Sequence, residues 1–440
     1  NQRRRRLPDK SHRLPMNTIL IKNARLIDPK NQLDEVTDVY IKQQRIVAIG
    51  GAPDGLVTKQ TIDASGLWLI PGLVDLSARL REPGLEYKAS IDSETRAAAS
   101  AGITTLCVPA DTDPVIDEPA VVELIHHKAK QARQSLVYTL GALTAGLKGE
   151  FLSEMATLKQ AGCLGVTNGK QPVKSTLIMR RALEYASTHN ITVFIEPHDP
   201  DLSADGCAHE GTIATRLGLV PIPYAAETAS IAQILELMTG TDIRVHFGRI
   251  SCARSIELIK KARERGLKVS ADVAAHQLHL TEMDISSFNS QCHVLPPLRT
   301  QRDMQALQQG LADEIISCIC SDHQPHQPDA KQAPFPATEP GISALETLLP
   351  LTLKLVENKQ LSLHSAIASL TCNPAELLGL DSGHLGVGSE ANLCLLDPNQ
   401  EWTLNSEDML SSGKNTPFAG WSFKGKVVQT IVQGRTIYGR

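Results

Sequence analysis

Between about Leu73 and Leu380 the chain repeats one unit, a short apolar run followed by a helical pattern, and this repetition restricts the fold more than any other feature. Gly102-Ile-Thr-Thr-Leu-Cys-Val, Gly165-Val-Thr, Ile191-Thr-Val-Phe-Ile, Ile243-Arg-Val-His-Phe, Leu267-Lys-Val-Ser-Ala and Ile315-Ile-Ser-Cys-Ile-Cys read as strands. Helical periodicity falls between them, from Leu177 to Tyr185, Ala226 to Met238 and Ser255 to Arg265. Repeated strand-helix alternation predicts an α/β fold, a parallel sheet closed into a (β/α)₈ TIM-type barrel over residues 71–380. A doubly wound open sheet is the alternative, but no glycine-rich phosphate loop follows the early strands. No short-period repeat favours a solenoid.

The two ends of the chain have a different texture. Ile19 to Asn23, Asp38 to Lys42 and Arg45 to Ile49 are β-rich and separated by Asp28-Pro29, Gly50-Gly51 and Ser65-Gly66, and Asn392 to Leu396, Val427 to Val432 and Thr436 to Tyr438 repeat the pattern. The ends are expected to pair into a small β-sandwich domain of residues 16–70 plus 381–440. At 440 residues the chain has room for this domain beside a barrel, which takes about 200 to 250 residues as one unit. Residues 1–15, with the block Arg3 to Arg6 ahead of Met16, lack an apolar segment after the charges and read as a basic extension outside the fold.

Charge and cysteine usage exclude several classes of partner. The 48 acidic and 44 basic residues leave a net charge of −4, too small a field to recruit nucleic acid or a membrane surface, so a small molecule or another protein is the expected partner. No apolar run reaches membrane-spanning length. The nine cysteines are odd in number and mostly sit in apolar runs, as reduced thiols of a cytoplasmic protein do. Cys318 and Cys320, two apart on one strand, are expected to face the same side of it rather than to bind a structural metal.

On such a barrel the chemistry sits at the C-terminal ends of the strands. The polar residues closing the apolar runs are Ser77, Arg79, Asp111, Asn168, Glu196, His198, Arg249, Asp322, His323 and His326. Several stretches around them, taken in order, resemble the dihydroorotase branch of the amidohydrolase superfamily. They are Pro71-Gly-Leu-Val-Asp75, Leu80-Arg-Glu-Pro-Gly84, Ala101-Gly-Ile-Thr-Thr105, Pro296-Pro-Leu-Arg299, Asp322-His-Gln-Pro-His326, Glu346-Thr347, Asn373-Pro-Ala375 and Asn415-Thr-Pro-Phe-Ala-Gly420, and the similarity runs over nearly the whole chain from Met16.

The resemblance implies a divalent metal site, zinc in active relatives, made of a His-x-His pair, a bridging carboxylate or carboxylated lysine, two further histidines and a late aspartate. The metal would make hydroxide near neutral pH and the aspartate would move the proton. This chain has Ser77-Ala78-Arg79 at the His-x-His pair, Asn168 at the bridge, Glu196 and Arg249 at the remaining histidines, and only Asp322 retained. A guanidinium has no lone pair to give a metal. His198, two residues beyond Glu196, becomes a ligand only if the alignment slips. His246 is out of strand phase with Arg249 and is expected to point to the other side. Arg81 and His326, which the resemblance implies as substrate-binding residues, are kept, while Asp111 is expected to compete for Arg81. Arg79 and Arg249 need buried partners, and Glu196, Asp111 and Asp322 are the candidates.

The pattern implies no bound metal and no working catalytic residue, with Asp322 vestigial. It looks like the non-catalytic dihydroorotase-like subunits that assemble with the catalytic chain of aspartate carbamoyltransferase in some bacteria, and homo-oligomerisation is expected as well. The alternative is an atypical cyclic amidohydrolase of dihydroorotase, hydantoinase or allantoinase type, working through Asp322, His323, His326 and His198. A third reading is a binder of a small anion held by Arg81.

Overall fold

A computed structural model describes residues 18–439, so the expected basic extension at 1–15 lies outside the described residues. Eight parallel staves form the barrel among these residues. In order they are Leu73–Asp75, Ile103–Val108, Leu136–Thr139 continued by Gly141–Ala142, Val166–Thr167, Val193–Ile195, Val245–Phe247, Val269–Ala274 and Cys318–Cys320. Each pairs in parallel with the next. The ring closes where Ala78 bridges His323, with the Arg79 amide donating to the His323 carbonyl at 3.0 Å.

The third stave is the one the sequence pattern passes over. Leu136-Val-Tyr-Thr follows a helix with no glycine or proline to announce it, and the pairing breaks at Leu140. Long excursions after the fifth and seventh staves are also unmarked by periodicity; the first contains the small ladder Ala208–His209 with Pro221–Ile222.

Inside the ring Val74, Leu76, Cys107, Leu140, Phe194, Ala274, Cys318 and Cys320 form one buried cluster. Cys318 and Cys320 therefore face the same interior, because side chains two apart on a strand share a face. Helices cover the outside, and their ends are fixed by local hydrogen bonds. At Gln301–Ala312 the Thr300 hydroxyl accepts from the Asp303 amide, while the Asp303 carboxylate accepts from the Thr300 amide. The same carboxylate accepts from the Ala253 amide at 2.9 Å, tying this helix to Ala253–Glu264.

The β-sandwich domain is built around an eight-stranded sheet that mixes both ends of the chain. Its order is Arg435–Tyr438, Ser422–Val432, Leu393–Thr403, Trp68–Pro71, Thr18–Asp28, Leu33–Lys42 and Arg45–Ile49, with Gln60–Asp63 also on Thr18–Asp28. Trp68–Pro71 is the stitch, parallel to the N-terminal strand and antiparallel to the C-terminal one. Ile21, Leu26, Ile41, Leu69, Leu393 and Leu395 fill the core beneath it. No helix among the described residues is long and apolar enough to cross a membrane.

The stitch passes straight into the first barrel stave through Gly72, whose amide donates to the Asn392 carbonyl at 2.9 Å. A Cβ at Gly72 would lie inside the van der Waals envelope of the Thr104 side chain on the second stave. Gly72→Ala is therefore expected to destabilise the protein by about 1–3 kcal/mol through overpacking. Denaturant unfolding measures this, and a shift below about 0.5 kcal/mol would show that the junction relaxes freely.

Candidate functional site

The C-terminal ends of the staves converge on a buried ionic cluster. Arg79, beyond the first stave, is only 6% exposed, and its three guanidinium nitrogens address three carboxylates. Nε donates to Asp111 Oδ2 at 2.8 Å, Nη1 to Asp322 Oδ1 at 3.3 Å, and Nη2 lies 3.5 Å from Glu196 Oε1. Arg249, beyond the sixth stave, binds the same Glu196 oxygen through Nη2 at 2.6 Å and lies 3.9 Å from Asp272 and 4.0 Å from Asp322. The expected neutralisation of both arginines by Glu196, Asp111 and Asp322 is thus present, with Asp272 as a further member.

Asp111 puts its carboxylate directly on Arg79, and its charge also acts on Arg81, raising the guanidinium pKa against burial. One expectation about neighbours is corrected. His246 does not point away from Arg249: its Nε2 lies 2.8 Å from Asp272 Oδ2, the carboxylate whose other oxygen accepts from the Arg249 amide at 2.7 Å. Strand phase fails here because the stave ends at Phe247, and Arg249 sits in the left-handed region at φ 54°.

The other sequence-derived candidates are placed as follows. Ser77 is buried, and its hydroxyl has no protein partner. Asn168 is held by the loops, accepting from the Thr144 hydroxyl at 2.6 Å and donating to the Gln171 carbonyl at 2.9 Å. His198 bonds the Ser203 hydroxyl at 3.0 Å, and burial pushes its pKa down. His323 turns to the Glu94 carboxylate at 2.7 Å, its other nitrogen accepting from the Ala344 amide. Arg81 and His326 stay together at 3.4 Å, with Arg81 donating to the Pro325 carbonyl at 3.1 Å and His326 flanked by Lys88 and Glu339. Burial, reinforced by Arg79, pushes the Arg81 guanidinium down to about 10.

Lys170, Asp272 and His276 belong to the site and were not singled out from the sequence. Lys170 donates to the Leu295 carbonyl at 2.9 Å; burial lowers its pKa, opposed by Asp322 and Glu196. His276 is buried beside Asp322 and Lys170, and burial pushes it down to about 4. Asp272 carried the clearest signal, a carboxylate inside the otherwise apolar or small run Val269–Ala274. Burial raises the pKa of Glu196, but Arg249 and Arg79 outweigh it and hold the carboxyl below its ordinary value. Asp272 follows the same pattern, lowered by Arg249 and His246 against burial.

These residues do not fit a divalent metal. Such an ion needs several convergent lone pairs within about 2.0–2.6 Å, and the oxygens of Glu196 and Asp322 that face the centre already meet guanidinium groups. Among the described residues no three His, Cys, Asp or Glu side chains are grouped to hold a metal ion.

Comparison with known proteins agrees with this architecture. Residues 66–254 match the model described as dihydro-orotase-like, and residues 351–438 match an amidohydrolase family model. Among solved structures, L-hydantoinase (dihydropyrimidinase) from Arthrobacter aurescens superposes with a TM-score of 0.86 at 23% identity, over 96% of each chain. Dihydropyrimidinase from Brevibacillus agri gives 0.81 at 20% identity, over 96% of this chain and 95% of that one. The fold is thus the amidohydrolase barrel with its β-sandwich domain.

Sequence relatives narrow the class. A dihydroorotase-like protein of Pseudomonas aeruginosa is 48% identical over 95% of this chain and 98% of its own length. One from Pseudomonas putida is 47% identical over 96% and 99%. A dihydroorotase of Syntrophotalea carbinolica is 43% identical over 96% and 99%. The chain belongs to the dihydroorotase-like family.

Removing one partner from a buried ion pair costs about 3–5 kcal/mol. Arg249→Met is expected to lose stability in this range, and adding Glu196→Gln should recover part of the loss; urea unfolding of both variants measures the coupling. The pH dependence follows from the same carboxylates. The folded pKa values of Glu196, Asp272 and Asp111 lie below the unfolded ones, so their contribution is present above about pH 4.3 and is lost as pH falls through the lower folded values. Unfolding followed from about pH 5 to pH 3 should show a steeper stability loss in the parent than in Glu196→Gln.

Proposed function

We propose that this chain is a catalytically inactive member of its family that acts as a structural and assembly subunit for the catalytic chain of aspartate carbamoyltransferase in de novo pyrimidine biosynthesis. On this reading it works in the cytoplasm, binds no metal and also associates with copies of itself. The observation that carries the proposal is the pairing of Arg79 and Arg249 with Glu196 and Asp322 where family members place metal ligands.

The chemistry supports inactivity. Ring opening of a cyclic amide at neutral pH needs an activated water, and a bound metal supplies it by lowering the water pKa to about 7. Arg79 and Arg249 do not substitute for that function: both guanidiniums are bonded to carboxylates, and a guanidinium has no vacant coordination to offer water. Asp322, the remaining proton carrier, has Oδ1 on Arg79 and Oδ2 on the Gln324 amide at 3.1 Å. His198, His323 and His326 contact three separate sets of partners, which leaves the alternative general-base constellation dispersed. Loss of a metal and of electrostatic stabilisation removes several kcal/mol of barrier reduction, on the order of 10³-fold or more in rate. A barrel kept whole around a neutralised site is suited to work through its surface.

The relative called dihydroorotase, 43% identical, favours the second reading, an atypical cyclic amidohydrolase. Metal analysis of the purified protein with a dihydroorotate ring-opening assay under zinc or manganese separates the two. We expect neither stoichiometric metal nor turnover, and finding both would overturn inactivity. For assembly, aspartate carbamoyltransferase should co-purify with this chain and lose assembly or activity in its absence; a carbamoyltransferase fully assembled and active alone would defeat that part of the proposal.

A further inference from the structure

The opposite face of the barrel carries a second, differently charged concavity. A groove of about 740 Å³ lies between the end of helix Pro119–Ala132, the start of the stave Leu136–Thr139 and the last hairpin of the terminal sheet. Its volume is in the range of small-molecule sites, about 300–1,000 Å³. Lys130, Arg133 and Arg435 line it, together with His126, Gln134 and Tyr138, and no carboxylate does.

None of the three cations has an ion pair among the described residues, although Arg435 is oriented by a hydrogen bond from Nη2 to the Arg133 carbonyl at 2.8 Å. The nearby carboxylate, Glu390, is engaged by Asn392 at 3.3 Å and Gln433 at 3.4 Å. Two of the lining side chains, His126 and Gln134, each bury a polar atom that has no protein partner, Nε2 and Oε1 respectively. Buried polar atoms are nearly always hydrogen-bonded, so these two define what an occupant must bring. Gln134 Oε1 can only accept and therefore needs a donor. Burial lowers the His126 pKa, which leaves the ring neutral near pH 7 and able to bond a hydroxyl through Nε2.

We propose that this groove binds a phosphorylated small molecule that also carries hydroxyl groups, with Lys130, Arg133 and Arg435 on the phosphate and Gln134 and His126 on the hydroxyls. Charge-assisted hydrogen bonds to lysine and arginine suit phosphate. The two orphaned atoms distinguish a sugar phosphate from a bare polyanion. The site is independent of the ionic cluster and of whether the chain has catalytic activity.

Calorimetric titration of the full-length protein with ribose 5-phosphate and with pyrophosphate tests the assignment. Ribose 5-phosphate should bind saturably at one site per chain, and Lys130→Ser/Arg435→Ser should weaken both probes about tenfold or more. These side chains are on the surface, and circular dichroism with thermal melting verifies that the variant is folded. Gln134→Leu should weaken ribose 5-phosphate while leaving pyrophosphate unchanged. Absence of saturable ribose 5-phosphate binding, or binding indifferent to the double substitution, would overturn the proposal. An acidic peptide that binds where both phosphates fail would overturn it in favour of a protein-docking surface. Equal effects of Gln134→Leu on the two probes would remove the sugar from the assignment.

Discussion

Glu196 Oε1 lies between two guanidinium groups, 2.6 Å from Arg249 and 3.5 Å from Arg79, and the mouth of the barrel is arranged around that contact. Arg79 extends the cluster to the second and eighth stave ends through Asp111 and Asp322, and Arg249 extends it to the seventh through Asp272. Lys170 brings in the fourth. Buried charges are tolerable only when paired, because desolvation costs several kcal/mol per ion and mutual attraction must offset it. In a metal-bound barrel of this family one divalent cation draws the ligand-bearing strands together. Here fixed organic cations join the strand ends through the buried carboxylates.

The backbone bears the same imprint. Arg81, Arg249 and Asp322 all adopt positive φ, at 64°, 54° and 48°, a region that costs non-glycine residues about 1–2 kcal/mol each. Such conformations persist where the surroundings over-determine them. The surroundings are identifiable: the Arg249 amide donates to Asp272, Arg81 is held by the Pro325 carbonyl, and Asp322 is flanked by the Ser321 amide bonded to Asp75 and by the His323 amide bonded to the Ser77 carbonyl. The sharp turn at Arg249 lets its side chain and that of His246 reach one carboxylate from two backbone directions.

How much could be read beforehand follows from where each signal is local. Strand-helix alternation is a local property, so the barrel and the composite sheet were legible, as was the need of Arg79 and Arg249 for carboxylate partners. The stave Leu136–Thr139 was not, since four residues without flanking breakers carry too little periodicity. Lys170 was hidden because its role depends on burial by the loop around Leu295, 125 positions away. Strand phase separates His246 from Arg249 only in an unbroken strand, and the turn at Gly248 and Arg249 breaks it. Asp272 was recoverable in principle, since a charge in an apolar or small run demands an explanation.

The cluster also resists piecemeal change. Replacing Arg79 with a histidine would create one ligand but leave Arg249 and Lys170 beside it, and a divalent ion would then face two fixed positive charges at short range in a medium that screens them poorly. Replacing Arg249 alone would leave Arg79 bonded to three carboxylates that a metal would need. Each single substitution also strands part of a buried ion network, which is more damaging than exchanging the members together. The cations that tie the mouth of this barrel together thus occupy the carboxylate oxygens a metal would need, and freeing those oxygens without stranding a charge requires changing several residues at once.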